Sequence, residues 1–441
     1  MLSWIGLIGG LALLIWMTVR GINILIAAPV AALLVAVTAG LPLLPPLAAM
    51  LPDGTAAPDF ASSYMAGFAK FLADWFLMFL LGAIFGEVMA ASGAAASVAR
   101  FITHKLGSHY ALVATVAACA VLTYGGVSVF IVAFSVYGLA VELFREAKLP
   151  RRFIPGALAF GSVTFTMTSA GSPEIQNLIP MQFLGTTAFA GWQVSLVVAV
   201  FMAVLGYVLL ARMVKRAVAQ GEGFEGREAD ARFEVDTKLP SPLLSIAPLV
   251  GVLGVFLATQ ALGKWALVLA LGTGVALACL VGWSERGRFG ATFSRGATGA
   301  VVAITNTCAV VGFGSVAQLS PAFAQALAAV QAIPGSPLIG AAIAVTVIAG
   351  LTGSASGGQT IALPLLAPHY LDIGADPGEL HRVVAISSGA LDSLPHNGYV
   401  VTTIRAVCGE THQAAYGAVA VTTVLVPTLG TVLAIVLFTI F

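Results

Sequence analysis

Apolar runs of about twenty residues alternate with short polar joints along this chain, the spacing of helices that cross a bilayer. Spans are predicted near residues 4–18, 22–43, 71–92, 152–180, 191–213, 242–260, 264–282, 295–312, 379–400 and 416–441. Two longer apolar segments, 109–147 and 336–368, are each interrupted at the middle by glycine-rich polar sequence. The interruptions read Thr123-Tyr124-Gly125-Gly126-Val127-Ser128 and Thr352-Gly353-Ser354-Ala355-Ser356-Gly357-Gly358-Gln359. Each segment is too long for one helix and carries a breaker, which predicts a re-entrant hairpin. A second pair of interruptions falls inside spans, at Thr168–Asn177 (TSAGSPEIQN) and Ser387–Asn397 (SSGALDSLPHN). Irregular backbone at membrane depth is tolerated only where protein or a watery cavity surrounds it. Paired interruptions at matching places in two halves point to the substrate site of a transporter.

Composition and charge turn this pattern into a topology. Hydrophobic residues make up 59% of the 441 and charged residues 9%, against about 25% charged in soluble domains. The net charge of +1, with no basic patch, offers nothing to nucleic acid. The first apolar run lacks a basic leader and a cleavage site, so it reads as a retained span. With Arg20 placed in the cytoplasm and both hairpins re-entrant, 17 of the 20 Lys and Arg fall inside, leaving Lys70, Lys264 and Arg382 outside. Both termini are then on the outer side, and no Lys or Arg lies deep in any span. The fold class expected is an all-α polytopic membrane protein of two inverted-topology repeats, about ten spans with two re-entrant hairpins and discontinuous helices. The first repeat covers 1–213 and the second 242–441, joined by a polar cytoplasmic linker at 214–241. Gly86 and Val88 match Gly314 and Val316, Thr123 matches Thr352, and Gly171 matches Gly389. Residues 94–106 and 321–333, each just before a hairpin, are expected to be short interfacial helices, either arms between a moving and a fixed body or plain connectors.

A helix broken in mid-membrane leaves free N–H groups at one cut end, which favour anions, and free carbonyls at the other, which favour cations. With no deep cation expected, a carboxylate would be held by N–H groups and hydroxyls. The candidate substrate-binding residues are Thr123, Gly125, Gly126, Ser128, Ser169, Gly171, Ser172, Asn177, Gly353, Ser354, Ser356, Gly357, Thr360, Ser388, Gly389 and Asn397, with Ser393 beside them. Glu174 and Asp392 lie in the two breaks at quasi-equivalent places, and His396 follows Asp392 by four residues. An ionisable group within a membrane is a functional hypothesis by default, and a carboxyl that must shed charge to cross suits a proton carrier. Glu87 is a weaker candidate near the inner surface. Thr305-Asn306-Thr307 either coordinates Na⁺ or bonds between helices. Cys119, Cys279, Cys308 and Cys408 form no CxxC pair and read as small buried hydrophobes. HExxH, GxSxG with triad partners and Walker A sequences are absent, so neither an enzyme nor ATP-driven transport is expected, and no cofactor or metal site.

The stretch Thr168 to Pro180 (TSAGSPEIQNLIP), followed by Phe183-Leu184-Gly185-Thr186-Thr187, and the stretch Ser387 to Gly398 (SSGALDSLPHNG) resemble the gluconate permease family of the ion transporter superfamily. That resemblance covers the whole chain in order and topology. It implies a proton-coupled symporter of small organic acids, such as gluconate or a short monocarboxylate like hydroxybutyrate, in a bacterial inner membrane. It also implies a homodimer working as an elevator. Some members of the superfamily bind Na⁺ at Ser-Asn-Thr hairpin motifs, which these hairpin tips lack. Na⁺-coupled carboxylate symport, cation/proton antiport through Glu174 and Asp392, and a channel or receptor remain as alternatives.

Overall fold

The computed structural model describes residues 1–45, 57–107, 110–226, 239–331, 333 and 336–441. These residues contain helices and no strands. α1 (Leu2–Val19) and α2 (Ile24–Ala39) form an initial pair, with Asn23 accepting from the Leu25 N–H at the start of α2. A sequence of elements then occurs twice. It runs α3 (Phe60–Ala91), α4 (Ala94–Leu106), a hairpin of α5 (Ala111–Tyr124) and α6 (Val129–Glu146), a broken helix, and α9 (Trp192–Ala219). After α10 (Pro242–Thr259) and α11 (Lys264–Val281) it recurs as α12 (Phe289–Ala317), α13 (Pro321–Gln331), a hairpin of α14 (Pro337–Thr352) and α15 (Ala355–Asp372), a second broken helix, and a final span. That span joins α18 (His412–Ala420) through a π turn at Val421–Leu425 to α19 (Val426–Ile440).

The first broken helix is α7 (Ile154–Ala159) with a π turn at Phe160–Thr164, a gap at 165–174, and α8 (Ile175–Leu184). The second is α16 (Pro377–Ser388), a gap at 389–397, and α17 (Gly398–Val401) with a π turn at Thr402–Val407. Pro173 and Pro395 supply no N–H to a continuing helix, so each gap contains a residue that cannot complete the ladder. The short helices α4 and α13 stand at the two expected interfacial positions. The expected linker is shorter than its sequence suggested. α9 extends to Ala219, and residues 227–238 lie outside the described residues.

α3 and α12 pack along their length. Lipid gives helices little hydrophobic reason to associate, so close contact depends on small residues and shape. Gly67, Gly296 and Gly312 provide it: a Cβ at each would meet Ser315, Ile84 and Tyr64 within 3.0 Å. The matched glycines of the two halves do the same work. A Cβ on Gly86 would strike Ile131 of α6 at 2.7 Å, and one on Gly314 would strike Ile361 of α15 at 2.5 Å. Each hairpin's second arm thus sits against its own half's long helix. Leu196, Val200 and Val204, at four-residue spacing on α9, are all more than half exposed and form a lipid-facing stripe.

Candidate functional site

Each hairpin tip closes on the gap of its own half. At the first, the Tyr124 hydroxyl donates to the Ala170 carbonyl at 2.7 Å, and Gly126 lies close to Pro173. Gly171 holds φ +78°, a left-handed conformation; a Cβ there would meet the Phe189 ring at 2.7 Å and the Tyr124 oxygen at 3.0 Å. At the second, Asn397 Nδ2 donates to the Gly353 carbonyl at 2.9 Å, and His396 packs on Gly353. Gln359 of α15 bridges the helix ends beside the two gaps. Its fully buried Nε2 donates to the Gln176 carbonyl at 2.9 Å and to Ser388 Oγ at 3.1 Å. Thr346 of the other arm donates to the Ser387 carbonyl at 2.9 Å.

The expected residues divide by what they hold. Asn177 Nδ2 donates to the Ser172 and Ala188 carbonyls, at 2.9 and 3.1 Å. Its Oδ1 accepts from Arg382 at 3.0 Å and from His381 Nε2 at 3.3 Å. Asn397 Nδ2 donates to the Asp392 carbonyl as well as to Gly353, and its Oδ1 accepts from the Val400 N–H. Both asparagines are thus occupied as fasteners, which leaves little free capacity for a ligand. Ser169 back-bonds to the Phe165 carbonyl, and Ser172 Oγ accepts the Glu174 N–H at 3.3 Å. Ser354 caps α15 by accepting the Gly357 N–H and lies 3.3 Å from Ser356 Oγ; Thr360 donates to the Ser356 carbonyl. Ser388 donates to Ala385, and Ser393 Oγ donates to Asp392 at 2.9 Å. Thr123 is fully buried with no hydrogen-bond partner among the described residues, as are the Thr168 hydroxyl and the side-chain oxygens of Gln176 and Gln359. Gly125 and Gly126 form the first tip beside Ser128, which precedes α6. Gly389 has ordinary room around it, its nearest neighbour at 3.5 Å. The two acids occupy unlike positions: Glu174 directly precedes α8, whereas Asp392 lies six residues before α17.

Two expectations about charge fail. Arg382, assigned to the outer solution, is fully buried, so the spans do contain a deep cation. Nε donates to the Ala190 carbonyl at 3.0 Å. Nη1 donates to the Thr168 carbonyl and Asn177 Oδ1, and Nη2 to the Ala188 and Ala190 carbonyls. His381 lies beside it, Nδ1 at 2.6 Å from Thr186 Oγ1. Asn177 Oδ1 only accepts, so His381 carries its proton on Nε2 and takes the Thr186 hydroxyl at Nδ1. Arg151, assigned to an inner loop, is also buried. It pairs with Glu410 at 3.0 Å and donates to the Tyr137 hydroxyl and the Cys408 carbonyl. The signal missed for Arg382 was its position six residues into a span that Asp376 caps. Outside this nucleus, Glu87 pairs with Arg295, and Thr305 and Thr307 back-bond within α12.

Beside the first gap lies a pocket of about 620 Å³ between α5, α9 and α10, open on the side of the exposed Trp192, Val250 and Leu196, the last of which belongs to the lipid-facing stripe of α9. Its walls are apolar except for Tyr124, Thr166, Ser169 and Ser195, and each of these hydroxyls already bonds to backbone of this chain.

No known protein-family model matches the chain. It is 34% identical over 450 aligned positions to YxjC of Bacillus subtilis (strain 168), described as an uncharacterized transporter, with 92% of each chain covered. An uncharacterized transporter of Haemophilus influenzae is 28% identical over 194 positions, 43% of this chain and 44% of that one. Among solved structures, the YdaH transporter of Alcanivorax borkumensis, whose crystal structure was described as revealing an unusual topology, superposes with a TM-score of 0.57. The alignment covers 97% of this chain and 98% of that one at 13% identity, a likeness of fold alone. The chain is a multi-pass membrane protein and belongs to the transporter family of YxjC.

Proposed function

We propose that this transporter is a secondary active symporter that imports a small organic carboxylate with protons across the bacterial inner membrane. The observation that carries the reading is the pair of mid-helix gaps, each covered by its own hairpin tip. One covered gap in each half suits alternating access, with the hairpins and broken helices moving as an elevator against α3 and α12. In this reading the repeats are 1–213 and 242–441, both termini face outward, and the protein is a homodimer. The substrate carboxylate meets the N–H groups that open α8 and the unpartnered hydroxyl of Thr168, near Ser172, Gln176 and Gln359. Asp392 and Glu174 are the proton carriers, with His396 at hand. A buried guanidinium beside the site argues against a cation/proton antiporter.

The likeness to gluconate permeases leaves sugar acids and short monocarboxylates both open, and the cavity favours the second. Four hydroxyls on otherwise carbon walls, each already giving one bond to this chain's backbone, answer only part of what a polyhydroxylated chain presents, so some of its hydroxyls would be left without partners. Each such loss costs about 1–3 kcal/mol. A short aliphatic acid such as hydroxybutyrate presents mostly carbon to those walls.

The test is uptake by purified full-length protein in liposomes, with labelled gluconate, butyrate and 3-hydroxybutyrate under imposed gradients. Accumulation of a monocarboxylate driven by acidic outer pH is the expected result. Accumulation driven by Na⁺ alone would replace the coupling ion, and no uptake of any organic acid would overturn the reading.

A further inference from the structure

We infer that Arg382 supplies the fixed positive charge against which the transported anion is bound, while itself being held out of contact with that anion. This rests on the carboxylate reading above and adds the source of its charge selectivity. A guanidinium has five N–H donors in a planar fork. All five are engaged here, by the carbonyls of Thr168, Ala188 and Ala190 and by the amide oxygen of Asn177. None remains for a substrate.

The charge is nevertheless uncompensated. The titratable side chains that interact with Arg382 are the Tyr124 hydroxyl and the His381 imidazole, neither of which is an anion, and no carboxylate among the described residues pairs with it. The other deep arginine is the contrast, because Arg151 has Glu410 at 3.0 Å. A buried cation without a counter-ion is costly unless dipoles or a ligand answer it. The carbonyl dipoles answer it in part. An anion at the first gap, which contains Thr168, completes the balance across a medium where charges are poorly screened. Arg382 therefore has two effects. It fixes the backbone of 168–190 as a positioning residue, and it biases the adjoining space toward negative charge.

The two effects separate by experiment. Apparent Kd values for 3-hydroxybutyrate and for its neutral amide, 3-hydroxybutyramide, are measured by thermal-shift titration of the full-length protein in detergent. Wild type should prefer the acid by about tenfold or more, as a nearby unit charge implies. In Arg382→Gln that preference should fall several-fold, leaving only what the N–H groups that open α8 supply. In Arg382→Lys it should survive even if both ligands bind more weakly, because the charge remains while the fork is lost. A purely structural role would weaken acid and amide alike in both variants, and that result overturns the inference. If those variants do not fold, Asn177→Asp sets a carboxylate against the guanidinium in place. An unchanged preference in that variant overturns the inference equally. A wild type that binds neither ligand, nor any acid of the uptake panel, sinks the carboxylate reading instead.

Discussion

At the first gap, three backbone carbonyls and one amide oxygen converge on a guanidinium carried by the other half of the chain. At the second, Asn397 closes the loop with a neutral amide, reaching back to Asp392 and across to the hairpin tip at Gly353. Hydrogen bonds to a charged group contribute about 1.5–3 kcal/mol each, against about 1 for neutral pairs. The first gap is therefore the stiffer, and the second, which contains Asp392, is the easier to rearrange. The two hairpin tips differ less, since each meets its gap through one neutral bond, from Tyr124 or from Asn397. Similar backbones thus each carry a carboxyl, Glu174 or Asp392, but only the first is braced by a fixed positive charge.

The strongest test of that asymmetry uses the glycines. Gly171→Ala forces a side chain into left-handed backbone, which costs about 1–2 kcal/mol, and drives its Cβ into Phe189. Uptake in liposomes should fall below about a tenth of wild type, a larger loss than the strain alone gives because the gap itself shifts. Gly389→Ala meets only ordinary contacts and should transport nearly as wild type. Equal loss from the two would break the comparison. Next comes Asp392→Asn, which should keep exchange of internal for external substrate yet lose accumulation driven by a pH gradient. Glu174→Gln tests the same role on the stiff side. If neither uncouples transport, protons are not carried at the gaps.

Stability gives a smaller separation. Asn177→Ala removes the partner of a buried guanidinium and should cost about 3 kcal/mol, whereas Asn397→Ala should cost about 1–2; melting in detergent ranks them. Tyr124→Phe, which frees the first tip from Ala170, should cost about 1 kcal/mol or less and act mainly on transport rate. The smallest effect concerns an ion pair outside the gaps. Arg152 donates two hydrogen bonds to Glu222, at 2.6 and 2.7 Å, and these hold that carboxyl below its ordinary range. Its folded value lies below its unfolded value, so the pair's contribution is complete above about pH 5 and disappears as pH falls through the folded value. Wild type should melt slightly above Glu222→Gln at neutral pH, and the two should coincide in strong acid.

The hairpins, the short helices at 94–106 and 321–331, and both gaps were legible because glycine, proline and hydropathy act over a few residues. The partners that organise the gaps were not. Arg382 meets carbonyls 192 to 214 positions upstream, and no local pattern marks a carbonyl as an acceptor in waiting. Arg151 and Glu410 are equally remote, and Arg151 looked like loop sequence because charge at a span's edge usually faces water. The asparagines were singled out for their chemistry, but a sequence does not say whether an amide's bonds are already spent on its own backbone.

The distance between Arg382 and its acceptors also has a consequence in time. Ribosomes add about 5–20 residues per second. Thr168 and Ala190 therefore enter the membrane roughly 10–40 s before the arginine that binds them exists, by the 192 to 214 residues that separate them. Throughout that interval the carbonyls at this depth must find water, lipid headgroups or the insertion machinery as a substitute. The first half of the chain is thus born incomplete, and its final form waits on the last quarter of synthesis.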